Sequence, residues 1–243
     1  MKGKASEYLE LGMWVKIEKK VIEIKGLSRL KPLIFITLDV FLKYLTPFFI
    51  VNNAVLGDRK VPASWEDLFD KEFENSIALP TSDLDMFNAI MLGIYSRYGR
   101  EGVEALGRGL LKSMHPAQMV KSGSRKDIDT PTVSIMPYFF SKTIKENSGL
   151  TVVWPKDGAV ISPIFLLTKK KNYENSKQLI DFLFSKQVAE VLGADGKFPQ
   201  TNSEYDNKLE ESQSFLWAGW DFIHSNDIGE ILSNTEKWFF GEE

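Results

Sequence analysis

Short apolar runs that stop at a proline constrain the fold of this chain more than any other feature. Three runs share this form: residues 76–79 before Pro80, 131–136 before Pro137 and 151–154 before Pro155. Proline cannot donate to a sheet ladder, so each run predicts a short strand that ends there. Segments with helical periodicity lie between them: one helix is predicted to end at Gly99, and a second to run from Arg100 to about Met114. A later helix, from Lys186 to Leu192, is predicted to be capped by Ser185. Strands that alternate with helices predict an α/β fold.

Composition excludes several kinds of site. The 243 residues, enough for one large domain or two small ones, include no cysteine and only two histidines, His115 and His224. Thiol nucleophiles, disulfides and cysteine-based metal centres are therefore excluded. No phosphate-binding loop, dinucleotide fingerprint or metalloprotease motif occurs in the sequence. These absences favour binding over catalysis, so we predict no enzyme activity, no cofactor and no metal site.

Net charge and hydropathy limit the kinds of partner that the chain is expected to have. The formal net charge is −3, which argues against nucleic-acid binding because such proteins neutralise phosphates. The most apolar segment, residues 32–51, contains Asp39, Lys43 and Pro47, so it predicts buried core rather than a transmembrane helix. The first ten residues lack the apolar stretch of a secretion signal.

Two strand ends are followed by polar groups suited to a ligand. Thr81, Ser82 and Asp83 come directly after Pro80, and Tyr138 comes directly after Pro137. In α/β sheets, ligands bind outside the carboxyl ends of strands, where helix N-termini present free N–H groups. The alternative is that residues 81–83 only cap the following helix, and that interpretation explains them equally well.

Several motifs, taken in order, resemble a known family. Residues 62–68 read P-x-S-W-x-D-L, residues 155–159 read P-x-D-G-A, and the late helical region ends in G-x-x-P at Pro199. An apolar strand ending in Asn52-Asn53 precedes them. Residues 45–205 thereby resemble the extracellular solute-binding proteins of ABC transporters, in the type II periplasmic-binding branch that includes ferric-iron binders.

The resemblance implies an architecture and a role. In that family two α/β lobes with mixed sheets flanked by helices close on a ligand, and a membrane permease reads the closed state. Mapped here, residues 1–53 and 153–243 form lobe one and residues 54–152 form lobe two. We therefore expect a small-molecule or ion ligand, an ABC permease as partner, and a periplasmic or extracellular location. The alternative hypothesis is a ligand sensor or interaction module on the same fold.

The resemblance also implies which residues face the ligand. Matched to the family's cleft loops, they are Thr81, Ser82, Asp83, Ser122, Ser124, Tyr138 and Asp157. Trp154 is expected to be either a wall of the site or part of the core.

Two departures from the family pattern carry expectations of their own. Where ferric binders have adjacent tyrosines, this chain has Tyr138-Phe139, and a single phenolate makes a poor Fe³⁺ site. The signal and the first strand–helix–strand unit are not recognisable, so we expect an N-terminally truncated, incomplete first lobe.

Overall fold

The computed structural model describes residues 20–21, 35–45, 47–122, 129–145, 147–169, 173–194, 198–200 and 202–242. The chain divides into two compact units, each built from two separate segments. Unit 1 combines residues 1–44 with 163–208, and unit 2 combines residues 45–162 with 209–243.

Strands and helices alternate along much of the described chain, as the prolines after the short apolar runs predict. The strands are β1 (Lys20–Val21), β2 (Phe35–Leu45), β3 (Pro47–Asn52), β4 (Ile77–Leu79), β5 (Leu110–Ser113), β6 (Val133–Pro137), β7 (Leu150–Val153), β8 (Ala159–Val160), β9 (Ser162–Lys169) and β10 (Phe215–Leu216). The α-helices are α1 (Asn53–Leu56), α2 (Leu84–Gly109), α3 (Pro116–Ser122), α4 (Tyr173–Leu183), α5 (Lys186–Gly193), α6 (Trp220–Ser225) and α7 (Ile228–Phe240). Among the described residues, 3-10 helices span Glu66–Phe69, Lys71–Phe73 and Tyr138–Thr143.

Unit 1 contains a three-stranded sheet of order β1-β2-β9, together with α4 and α5. The Ser185 hydroxyl accepts a hydrogen bond from the Val188 N–H at 3.4 Å and so caps α5, as its position in the sequence predicts. Within the apolar segment 32–51, residues 35–45 form β2 and residues 47–51 lie in β3, so these described parts are strands and not a helix. Within the described ranges, no helix combines the length and apolar character needed to cross a bilayer.

Unit 2 is built on a five-stranded mixed sheet of order β5-β4-β6-β3-β7. Strand β4 is parallel to both β5 and β6, whereas β3 is antiparallel to β6 and β7. The carboxyl ends of β4, β5, β6 and β7 therefore meet at one edge of the sheet, where β3 begins at Pro47. We call this edge, with the residues that directly follow those four strands, the carboxyl edge.

Two apolar clusters cover the two faces of this sheet, because successive side chains of a strand point to opposite sides. Phe49 and Val51 of β3 pack with residues of α2 and α7 on one face. Phe48 and Ile50 pack with Met119 of α3 on the other. Burial of every residue of β3 fits its place between β6 and β7.

Helix α2 differs from the sequence prediction of two helices that meet at Gly99 and end near Met114. It is assigned as one element over residues 84–109, with a kink at Gly99, where φ is +64°. The prediction that a helix continues to Met114 is wrong, since residues 110–113 form β5. Gly109 lies so close to β4 that a Cβ there would stand 2.6 Å from Ile77 Cδ1, and the chain pairs with β4 from Leu110 onward.

The C-terminal helix α7 packs on α2. Gly107 permits this contact, because a Cβ at that position would lie 2.1 Å from the Phe239 carbonyl oxygen. The rings of Phe87 and Phe239 meet edge to face at 5.1 Å. Unit 2 therefore takes in residues 209–243, whereas the sequence-based lobes place them with residues 1–53.

Candidate functional site

The turn after β4 places three of the predicted ligand residues at the carboxyl edge. The Thr81 N–H donates to the Leu79 carbonyl at 2.9 Å and the Asp83 N–H donates to the Pro80 carbonyl at 3.0 Å, which fixes a tight turn. The Ser82 and Asp83 side chains are exposed. Asp83 Oδ1 accepts the Met86 N–H at 3.3 Å, so Asp83 is the residue that caps α2.

The Thr81 hydroxyl pairs with a residue that sequence reasoning missed. Thr81 Oγ1 lies 2.6 Å from the Oγ of Ser113, the last residue of the neighbouring parallel strand β5. The sequence prediction placed Ser113 inside a helix and so removed it from consideration. The available signal was the pair Gly107 and Gly109, two poor helix formers within three residues.

Aromatic rings line the other half of the carboxyl edge. Tyr138 follows β6, and its ring meets Phe48 and Trp154 edge to face, each with centroids 5.3 Å apart. Trp154 follows β7 and meets Phe215 at 5.5 Å. Its indole N–H donates to the Ser214 carbonyl at 2.7 Å. Tyr138 and Trp154 remain half-buried, so part of each side chain reaches solvent.

The Asp157 carboxylate is engaged with protein groups. It accepts the N–H of Trp65 at 2.8 Å, the N–H of Glu66 at 3.4 Å and the hydroxyl of Tyr98. Burial raises the pKa of the Tyr98 phenol well above its ordinary value, and the hydrogen bond to Asp157 raises it further. Asp157 therefore joins the loop at residues 63–66 to helix α2.

Three further residues have a less direct relation to this edge. Ser122 is the last residue of α3. Ser124 lies outside the described residues. His115 is exposed beyond the end of β5, and its Nδ1 accepts the Ala117 N–H at 3.2 Å.

The carboxyl edge thus brings together hydroxyl groups, one carboxylate and two aromatic rings. Thr81, Ser113 and Asp83 can accept hydrogen bonds, and the rings can pack on an apolar or cationic solute. Among the described residues, no group of three or more histidine, aspartate or glutamate side chains is arranged to hold a metal ion.

Comparison with known proteins matches the chain at the level of sequence and of fold. A family model described as bacterial extracellular solute-binding protein matches residues 40–226. The spermidine/putrescine-binding periplasmic protein of Salmonella typhimurium is 25% identical over 209 residues, which cover 78% of this chain and 59% of that protein. The chain therefore spans less than two thirds of the length of this curated relative.

Solved structures agree on the fold. The substrate-binding protein of an ABC transporter from Agrobacterium tumefaciens superposes with a TM-score of 0.58 at 14% identity, over 98% of this chain and 78% of that one. The ferric binding protein of Campylobacter jejuni superposes with a TM-score of 0.57 at 12% identity, over 97% of this chain and 79% of that one. These matches confirm the α/β class with mixed sheets and helices of type II periplasmic-binding proteins. The family model, which matches most of the chain, shows that the chain belongs to the bacterial extracellular solute-binding proteins.

Proposed function

We propose that this chain is the solute-binding component of an ABC-type importer and that it holds an organic cation of the polyamine class at the carboxyl edge of unit 2. Membership of a solute-binding family confirms the interpretation that the chain is a binding protein and not an enzyme. The observation that carries the proposed ligand class is the edge-to-face pair of Tyr138 and Trp154 at the sheet edge that also carries Asp83.

The chemistry of these groups supports a cationic ligand. An ammonium group over an aromatic face gains about 0.5–2 kcal/mol, with the larger value where water is excluded. The Asp83 carboxylate supplies a charge of opposite sign, and the Thr81 and Ser113 hydroxyl oxygens can accept ammonium N–H groups. The curated relative named above binds spermidine and putrescine, which agrees with this choice.

Ferric iron is the competing ligand, because one fold neighbour is a ferric binding protein. Fe³⁺ prefers anionic oxygen ligands, and this chain offers Tyr138 followed by Phe139 where ferric binders have two tyrosines. The single phenolate favours the amine over the metal.

Isothermal titration of the purified chain with spermidine, putrescine, ferric citrate and inorganic phosphate tests the ligand class. We expect the two polyamines to bind and Trp154→Ala to weaken their binding about tenfold. Val152→Ala, an exposed site on the same strand, is the matched control and should change Kd by less than twofold. Binding of ferric citrate without polyamine binding would overturn the ligand class, and binding of none of the four would count against solute capture by this chain.

The permease partner requires a separate test. The liganded protein should stimulate ATP hydrolysis by the reconstituted permease–ATPase complex whose genes adjoin its own. If no such genes adjoin it, or if the complex does not respond, the sensor hypothesis replaces the transport hypothesis. The expectation that two lobes close on the ligand stays a prediction.

A further inference from the structure

We propose that Asp157 is a positioning residue for the solute site, which holds the Trp154 indole in place and does not itself contact the ligand. This inference rests on the proposed function of the carboxyl edge. It replaces the expectation from the family motif that Asp157 faces the ligand.

The contacts of Asp157 are the first step. Its Oδ2 accepts the Trp65 N–H at 2.8 Å and the Glu66 N–H at 3.4 Å, and Oδ1 lies 3.1 Å from the same Trp65 nitrogen. The Tyr98 hydroxyl from α2 donates to Oδ2 as well. A carboxylate that already accepts from three protein donors has little capacity left for a ligand.

The second step is the short segment between Asp157 and Trp154. The Lys156 N–H donates to the Ala63 carbonyl at 2.8 Å, while the Lys156 carbonyl accepts from Ser214 Oγ at 3.2 Å. The same residue, Ser214, accepts the Trp154 indole N–H through its carbonyl. Residues 154–158 are therefore held on one side by the loop at 63–66 and on the other by the start of β10.

The backbone conformation and close packing of Gly158 further restrict the conformation of this segment. Its φ of +106° and the position of Phe215, whose carbonyl carbon would lie 2.4 Å from a Cβ, allow only glycine there. Its carbonyl accepts the Trp65 indole N–H at 2.9 Å. Removal of the Asp157 carboxylate leaves the Lys156–Ala63 and Trp65–Gly158 hydrogen bonds in place. It deletes the contacts to the N–H groups of Trp65 and Glu66 and to the Tyr98 hydroxyl, so we expect the segment to loosen on that side and Trp154 to lose its fixed orientation against Tyr138.

A double-mutant cycle tests this coupling, with spermidine affinity measured by titration. We expect Asp157→Ala to weaken binding about 3- to 10-fold in the wild-type chain, at most as much as removal of the Trp154 ring. In the Trp154→Ala background the same change should alter Kd by less than twofold, because the group that it positions is absent. If the two losses simply add, or if Asp157→Ala has no effect while the wild-type chain binds, the inference is wrong.

Controls separate positioning from general destabilisation. Phe239→Leu loosens the core of the same unit and removes no group of the carboxyl edge, so it should lower Tm and leave Kd unchanged. Asp157→Asn and Tyr98→Phe are milder variants that give the same answer if Asp157→Ala does not fold. Failure of the wild-type chain to bind any solute would instead refute the proposed function, so the two failures are distinguishable.

Discussion

At the scale of single residues, the polar groups of unit 2 fall into two kinds that the sequence does not separate. Arg59 donates to the carbonyls of Glu72 and Val55 and to the hydroxyl of Thr132, each within 3.1 Å. It thereby holds the chain near the start of β6. Ser82 and Asp83, in contrast, are exposed beyond the end of β4. Groups of the second kind are exposed to solvent, so a solute can reach them.

Tyr98 gives a pH-dependent prediction at this scale. Its phenol has a pKa raised above the ordinary value of about 10 by burial and by the hydrogen bond to Asp157. Above about pH 10 the unfolded chain releases this proton while the folded chain retains it, so the free energy of unfolding falls as pH rises. We expect Tyr98→Phe to flatten that fall, as measured by urea unfolding between about pH 9 and pH 11.

Because tyrosine and lysine side chains in general have ordinary pKa values near this range, the test is the difference between the wild type and Tyr98→Phe. At neutral pH the variant should already lose about 1 kcal/mol, since one hydrogen bond is removed. Parallel pH profiles for the two proteins would show that the Tyr98 phenol contributes nothing to the alkaline transition.

At the scale of elements, Asp83 has two roles that substitution can separate. It caps α2 through its side-chain oxygen, and it is the carboxylate proposed to face a cationic ligand. Asp83→Ala should lower the free energy of unfolding by about 1 kcal/mol, whereas Asp83→Asn keeps a capping oxygen and should change it by a few tenths. Thermal unfolding of the two variants checks the cap.

Titration with spermidine tests whether the charge of the Asp83 carboxylate contributes to ligand binding. An exposed ion pair contributes about 0.2–1 kcal/mol, so Asp83→Asn should weaken binding roughly 1.5- to 5-fold with stability nearly intact. Glu101→Gln, an exposed site farther along α2, is the control and should bind as the wild type does. Equal affinity of Asp83→Asn and wild type would remove Asp83 from the proposed ligand contacts.

At the scale of the whole molecule, the two units each draw on distant parts of the sequence. Unit 2 includes the last 35 residues, 209–243, because α7 packs on α2 through Gly107 and Phe239. Hydrogen exchange tests this assignment. Amides in the middle of α7 should share the protection of α2 and should open with it at the same denaturant concentration.

The expected lobes predict a different result. If residues 153–243 acted as one cooperative body, α7 would exchange together with α4 and α5 of unit 1. Such an outcome would contradict the unit assignment. Gly107→Ala sharpens the test, since it should raise exchange in α7 while leaving α5 unchanged.

The sequence by itself determined where individual strands end and where individual helices begin. Prolines after short apolar runs marked the ends of β4 and β6, and Ser185 marked the start of α5, because chain termination and capping depend on neighbouring residues. The ordered motifs indicated the family, which the family model confirms. The prediction of a helix at residues 110–113 from local sequence was wrong, because pairing with β4 outweighed the helix propensity of these residues.

Only the tertiary structure decided which distant residues meet. The Thr81–Ser113 pair, the contact of Tyr138 with Trp154, and the three donors around Asp157 join residues 16 to 92 positions apart in sequence. Sequence spacing carries no information on such contacts, because they follow from strand order and helix packing. The sequence therefore determined that Asp157 belongs to a family motif, while the tertiary structure decided that its carboxylate is directed toward Trp65 and Tyr98.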